Sequence, residues 1–307
     1  MAHLIDGKAI AEELRARIAE ELGILRLSEV QPGLATVLMS GDGAADAYER
    51  HLRRLAEGLD YRYVCERLPG DVELADAIAT IGKLNADPRI TGILVLLPLP
   101  PHISEADVSN ALDPRKDIEA AHPENAGLLA EGRPRFLPST PASCYYLLDA
   151  YVRSTGEDPS TYYAGKTVVV VGRSNTVGKP AQWLGLERNA TVITCHSYTA
   201  KAGRLPEFTR QADILIVAAG VPGLVNGDMV REGVIAVDVG TNPVSDPETG
   251  KTRLVGDLDF ASVAAKAEAI TPVPGGVGPV TDVWLVGNAL MAAAIAARVE
   301  PRFGLFI

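Results

Sequence analysis

Thr167-Val168-Val169-Val170-Val171 is the most constraining stretch of this 307-residue chain. Five consecutive β-branched residues offer no polar face in any register. They predict a strand covered on both sides, as in a parallel sheet. The run leads directly into Gly172-Arg173-Ser174-Asn175-Thr176-Val177-Gly178-Lys179-Pro180, a turn of small residues that opens a helix. Small residues let a backbone approach a bound group closely, and a helix N-terminus adds free N–H groups and a positive dipole end. The spacing is Gly-x-Ser-x-x-x-Gly and not GxGxxG. It fits either a pyrophosphate-binding turn or a plain strand-to-helix connection. Further apolar strands are predicted at 191–195, 214–218 and 234–239, which makes this half a doubly wound nucleotide-binding pattern.

The first half alternates in the same way. An apolar stripe at helical spacing, Ile10, Leu14, Ile18, Leu22 and Leu25, predicts a helix over 6–26 with Asp6 at its start. Strands follow at 35–39, 61–65 and 92–97, with helices over 44–58 and 72–85. Ser40-Gly41-Asp42-Gly43 is read as a loop. A helix over 141–154 bridges to the second half, and the turn-rich Gly156-Glu157-Asp158-Pro159-Ser160 marks a boundary. A last Ala-rich helix covers 282–298. The expected fold is α/β in two domains. Residues 1–150 with 280–307 form an N-terminal α/β catalytic domain, and 151–279 form the nucleotide-binding domain.

Apolar residues make up 47% of the chain, enough for a buried core, and the net charge is -10 with no Lys/Arg block. That balance argues against a nucleic-acid partner or an anionic membrane surface. No basic leader opens the sequence, and no uncharged apolar run approaches the roughly 20 residues of a bilayer span. Cys65, Cys144 and Cys195 are scattered, and the five histidines are dispersed. No metal site is expected, and the thiols fit a reducing cytoplasm.

The strand after the glycine turn separates the two nicotinamide cofactors. An NAD site usually ends that strand with Asp or Glu, which binds the ribose 2′-hydroxyl. Here it ends Cys195-His196-Ser197, with no carboxylate to repel a 2′-phosphate. Arg173 can reach such a phosphate and Ser197 can donate to it, so NADP is favoured over NAD. A solvated loop charge is the alternative for Arg173.

Several segments, in order along the chain, carry a resemblance. They include Ile5-Asp6-Gly7-Lys8, Gly92 through Pro100, Lys116-Asp117-Ile118-Glu119, Pro138-Ser139-Thr140-Pro141 and Val171 through Asn175. Cys195-His196-Ser197, Asp238-Val239-Gly240-Thr241-Asn242 and Ile270 through Thr281 complete the set. On these residues the chain resembles the bifunctional methylenetetrahydrofolate dehydrogenase/cyclohydrolase family. The resemblance implies a cytoplasmic homodimer with a Rossmann-like NADP domain and a tetrahydrofolate-type substrate in an interdomain cleft. It assigns the cofactor to Gly172, Arg173, Ser174 and Val177, with His196, Ser197, Gly240 and Thr241. It assigns the substrate to Tyr48, Leu52, Leu96, Pro98 and Glu119, and to Pro274, Gly275 and Gly276. Tyr48 and Glu119 take the catalytic positions.

The chain departs from the family pattern where the chemistry is done. Leu52 stands four residues after Tyr48, where the family has a lysine, and Leu96 replaces a glutamine. Glu119 replaces an aspartate and is followed by Ala120 in place of glycine, while Ser139 replaces cysteine. Losing both partners of a buried polar contact can be nearly neutral, whereas losing one strands the other at roughly 1–3 kcal/mol. The expected outcome is a dehydrogenase with cyclohydrolase activity lost or weak. Arg50 and Arg54 point away from the Tyr48 face; His51, three residues on, lies nearer and could stand in for the lysine by titrating near neutrality, with a solvated helix face the expected role. An altered folate-like substrate in a specialised pathway and a non-catalytic binder remain the competing readings.

Overall fold

The computed structural model describes residues 2–39, 43–245 and 252–300. In chain order the elements are β1 (His3–Leu4), α1 (Gly7–Leu27), β2 (Gly33–Leu38), α2 (Gly43–Gly58), β3 (Arg62–Arg67), α3 (Leu74–Ala86) and β4 (Gly92–Val95). Then come α4 (Glu105–Ala111), α5 (Pro123–Ala130), α6 (Ser139–Ser154), α7 (Pro159–Tyr162), β5 (Thr167–Val171), α8 (Gly178–Glu187), β6 (Thr191–Cys195), α9 (Ser197–Lys201) and α10 (Leu205–Thr209). The chain finishes with β7 (Ile214–Val217), β8 (Ile235–Asp238), β9 (Asn242–Ser245), β10 (Thr252–Val255), α11 (Phe260–Ala264), β11 (Ala269–Ile270) and α12 (Val277–Ala297). Ser40, Gly41 and Asp42 of the expected loop lie outside the described residues.

Two compact units result. The first comprises Met1–Glu13 with Thr140–Thr281, the second Leu14–Ser139 with Asp282–Ile307. This differs from a division at 151. The segment 156–160 is occupied in part by α7, which Asp158 caps by accepting from Ser160 N–H at 2.9 Å. The first residues join the later part of the chain because β1 pairs in parallel with β11.

The first unit is a six-stranded sheet in the order β1-β11-β8-β7-β5-β6, parallel at every pairing, with a separate β9–β10 hairpin. The predicted strand Thr167–Val171 is central, and Val168, Val169 and Val170 are fully buried. β6 and β7 flank β5 on opposite sides, so the chain reverses direction across the sheet there. Ligands of open α/β sheets bind at the carboxyl ends of strands at such a switch point.

The second unit carries a three-stranded parallel sheet, β3-β2-β4. Ala35, Val37, Ile93, Ala77 and Ile81 share one buried cluster, so α3 covers a face of this sheet. A Cβ on Gly92 would lie 2.8 Å from Ile118 and 3.3 Å from Ala289, so β4 passes close to α12 on a residue with no side chain. Lys116 Nζ donates to the carbonyls of Leu84, Asn85 and Asp87 at 3.2, 2.7 and 2.8 Å, closing the C-terminus of α3.

α12 starts at Val277, earlier than the predicted 282, because Pro279 is tolerated in a first helical turn. It is long and apolar enough to cross a bilayer by length and composition, although Asp282 interrupts its uncharged run. Yet 67% of its most apolar window is packed inside protein, as in a core helix.

Candidate functional site

In the first unit, the loop after β5 is pinned from two sides. Gly172 N–H donates to Cys195 O at 2.9 Å, and Ala218 N–H donates to Val171 O at 2.8 Å. Gly172 adopts φ +138, and a Cβ there would lie 2.2 Å from Ala218 O. A Cβ on Gly178 would lie 2.3 Å from Gly172 O, so the turn closes only with glycine at both ends. Ser174 Oγ accepts from Val177 N–H at 3.1 Å and Gly178 N–H at 3.3 Å, capping the start of α8. Arg173, Ser174 and Asn175 face solvent. Such a cradle fits a pyrophosphate.

The register Val171↔Cys195 sets this turn beside His196 and Ser197. His196 caps α9, its Nδ1 accepting from Tyr198 N–H at 3.3 Å, so the ring has a structural role as well. The Arg173 guanidinium lies 5.7 Å from the Tyr198 ring centroid, and Lys201 Nζ lies 5.4 Å from it. A cationic, exposed corner therefore flanks Ser197, and no carboxylate ends β6. Gly240 N–H donates to Asp238, whose carboxyl burial pushes up to about 6. Gly240 has no room for a side chain, since its Cβ would lie 2.3 Å from the Asp257 carboxyl; Thr241 is exposed.

Pro274, Gly275 and Gly276 also belong to the first unit. Gly275 has φ +110, and a Cβ on Gly7 would lie 1.8 Å from Gly276 O. The Ile5-Asp6-Gly7-Lys8 and Pro274-Gly275-Gly276 segments are thus backbone neighbours, which explains glycine at both.

The second unit gathers a polar cluster around Tyr48. α2 buries Ala45, Glu49, Leu52 and Ala56, a stripe at helical spacing. Tyr48 and His51 lie beside that stripe and keep part of their surface open. The Asp282 carboxylate of α12 acts on the Tyr48 phenol and helps to raise its pKa. His51 Nε2 lies 2.9 Å from Asp282 Oδ2, with the histidine side chain half exposed. His51 is therefore engaged and not simply solvated. No motif pointed to Asp282, which sits 231 residues from its histidine partner.

Glu119 approaches the same hydroxyl, since its charge and that of Asp282 both act on Tyr48. Burial first, then those two carboxylates, hold the phenol well above its ordinary range. Glu119 accepts from Ser139 Oγ at 2.8 Å and Ser139 N–H at 3.2 Å. Burial nonetheless pushes its carboxyl up to about 7. Ala120, next along, has φ +52, a conformation in which the family's glycine is at ease. Asp117 supports the loop by accepting from His122 N–H and Asn125 Nδ2, each at 2.8 Å.

Leu52 and Leu96 present almost no free surface. They are 0% and 3% exposed and belong to the interior. Leu52 follows Glu49 on the inner stripe of α2, which is why it turns inward. Pro98 is exposed at the end of the Gly92 segment. Among the described residues no group of three His, Cys, Asp or Glu side chains is gathered to hold a metal.

A doubly wound sheet with a tight glycine turn at its switch point defines a dinucleotide-binding class, here joined to a second α/β unit with its own polar cluster. Residues 5–119 match the catalytic domain of the tetrahydrofolate dehydrogenase/cyclohydrolase family, and residues 138–297 match that family's NAD(P)-binding domain. The chain belongs to this family. It is 61% identical to the bifunctional protein FolD 3 of Rubrobacter xylanophilus, covering 98% of this chain and 95% of that protein. Among solved structures it is similar to a Campylobacter jejuni FolD methylenetetrahydrofolate dehydrogenase/cyclohydrolase, with TM-score 0.87 and 37% identity over 96% of this chain and 99% of that one. A Trypanosoma brucei methylenetetrahydrofolate dehydrogenase-cyclohydrolase complexed with NADP cofactor and inhibitor also has TM-score 0.87. It is 35% identical over 97% of this chain and 99% of that one.

Proposed function

We propose that the chain is an NADP-dependent 5,10-methylenetetrahydrofolate dehydrogenase whose methenyltetrahydrofolate cyclohydrolase activity is weak or absent. The observation that carries this reading is the fully buried Leu52, a hydrocarbon where the family resemblance places an ammonium. The glycine cradle of the first unit, in contrast, is intact. Gly172, Arg173 and Ser174 would hold the cofactor, whose nicotinamide would supply a hydride acceptor for the folate methylene carbon, with the folate N5 lone pair supporting the charge left behind. That step needs alignment more than a protein base. Glu119 is suited to hold the pterin N–H groups. Hydration of the methenyl cation differs, because it requires a group that accepts and returns a proton. Tyr48 is poorly suited, its acidity suppressed by burial and then by the charges of Asp282 and Glu119.

Purified protein mixed with methenyltetrahydrofolate is expected to leave it decaying at the buffer rate, while methylenetetrahydrofolate with NADP yields NADPH. Fast enzyme-dependent decay in the first assay would remove the cyclohydrolase part of the reading. Absence of NADPH in the second would remove the rest.

NADP is chosen over NAD for the cationic corner of Arg173 and Lys201 beside Ser197, and the NADP-bound relative supports it. Arg173→Ala is expected to raise KM for NADP on the order of tenfold or more, with KM for NAD altered less than twofold. A charge-assisted contact to phosphate is of that size. Equal changes for both cofactors would place Arg173 outside the 2′-phosphate site. The same reading takes the protein as a cytoplasmic homodimer, as the resemblance implies.

A further inference from the structure

Asp257, just after β10, is fully buried, yet its carboxylate reaches an exposed loop. It accepts from three consecutive backbone N–H groups, Ala219 at 2.6 Å, Gly220 at 2.9 Å and Val221 at 2.9 Å. Asn242 Nδ2 adds a fourth donor at 2.9 Å. Asp238, at the end of β8, fixes the segment from behind by accepting from Asp257 N–H and Leu258 N–H, each at 2.9 Å. Successive N–H groups converging on one anion are a geometry that binds phosphates. Here the fold fills that nest with its own carboxylate, so the loop after β7 is closed to the phosphates of a cofactor. What the loop turns outward is apolar: Ala219, Val221 and Pro222 are exposed. The same loop abuts the glycine turn, since Ala218 N–H donates to Val171 O at 2.8 Å.

The sheet order gives this loop a place along the cofactor. β6 and β7 lie on opposite sides of β5. With the pyrophosphate on the turn after β5 and the 2′-phosphate at the end of β6, the adenosine half takes the β6 side. A dinucleotide spanning the switch point then carries its nicotinamide half to the β7 side. We propose that Asp257 is a positioning residue for the nicotinamide half of NADP: it draws in the N–H groups of Ala219, Gly220 and Val221 and so presents the apolar face of their loop to the ring. The inference rests on the reading above, which puts the 2′-phosphate at Arg173 and Ser197.

Asp257→Asn tests this, because an amide has one acceptor oxygen where the carboxylate has two, and turns an N–H toward other donors. Calorimetry with two probes decides: NADP, and adenosine 2′,5′-bisphosphate, which carries the 2′-phosphate and lacks the nicotinamide half. Asp257→Asn is expected to weaken NADP binding about tenfold and bisphosphate binding less than twofold, the size of one lost charge-assisted contact. The kcat for NADPH formation is expected to fall about tenfold, as misalignment of a reacting ring does. Gly220→Ala strains the same loop from its exposed side, at φ +67 with nothing within 4 Å of the added Cβ, and leaves the buried carboxylate in place. It should raise the ratio of the two dissociation constants about threefold. A parent-like ratio in Asp257→Asn, or in Gly220→Ala should the first variant not fold, overturns the proposal. Arg173→Ala, run alongside, should weaken both probes. If it weakens neither, the placement of the 2′-phosphate fails, and the ratio in Asp257→Asn still decides the role of the loop.

Discussion

Glu119→Gln is expected to lower kcat/KM for methylenetetrahydrofolate about a hundredfold, with KM for NADP unchanged. A carboxylate can accept from two pterin N–H groups at once, whereas an amide offers one acceptor and turns an N–H toward a donor. Hydrogen bonds to charged groups contribute roughly 1.5–3 kcal/mol each, and about 2.7 kcal/mol is a hundredfold in rate. The parent should also show a particular pH dependence. Glu119 is shifted from its ordinary 4.5 up to about 7, and only its ionised form accepts from two donors. KM for the folate should therefore rise as pH falls below 7, approaching tenfold per pH unit. For stability the sign is opposite. A raised carboxyl pKa means that the folded state binds more protons than the unfolded state between pH 4.5 and 7. The contribution of Glu119 favours folding below that window and is lost as pH rises through it. Denaturant titrations of the parent and Glu119→Gln at pH 5 and 8 should differ in this slope. A variant whose kcat/KM stays within threefold of the parent at pH 8 would remove Glu119 from the substrate site.

Gly172→Ala is expected to abolish measurable NADP binding and to lower the melting temperature on the order of 10 °C. The added Cβ would lie 2.2 Å from the carbonyl oxygen of Ala218, at a φ of +138 that side chains rarely adopt. Backbone strain and overpacking of this kind together cost about 3 kcal/mol or more, and each kcal/mol shifts a protein of this size by a few degrees. Gly23→Ala is the matched control. It lies within α1 with nothing near its Cβ, and alanine is the better helix former there. Calorimetry with NADP and thermal melts of both variants check this. Parent-like NADP affinity in Gly172→Ala would mean that the turn after β5 does not hold the cofactor.

The strands of the first unit were legible because burial on both faces leaves a signature in single residues. Val168 to Val171 and Ile214 to Val217 contain nothing that could meet water. The helices α1 and α2 were legible from their apolar stripes. The strands β1 and β11 were not, since two residues carry no periodicity and their pairing is set by partners more than 260 residues apart. The site was half legible. Gly172 and Gly178 announced themselves through composition, and Tyr48 and Glu119 through resemblance. The interior position of Leu52 was not legible, because its neighbours on the inner stripe of α2 decide that. Asp282 was hidden for a different reason. A lone carboxylate near the start of an apolar helix looks like a solvated end, and only the tertiary fold brings it to His51 and Tyr48.

β1 has a consequence for biosynthesis. The residues of β1, at positions 3 and 4, complete the edge of a sheet whose adjoining strand comes only at positions 269–270. Neither unit is a continuous stretch of chain: the first cannot close before β11 is made, and the second cannot finish until the whole of the first has been made. A gene fragment cut at residue 140 would leave the backbone of β11 open along one side. An unpaired strand edge of that sort invites association with other chains, so the cofactor unit is not a portable module.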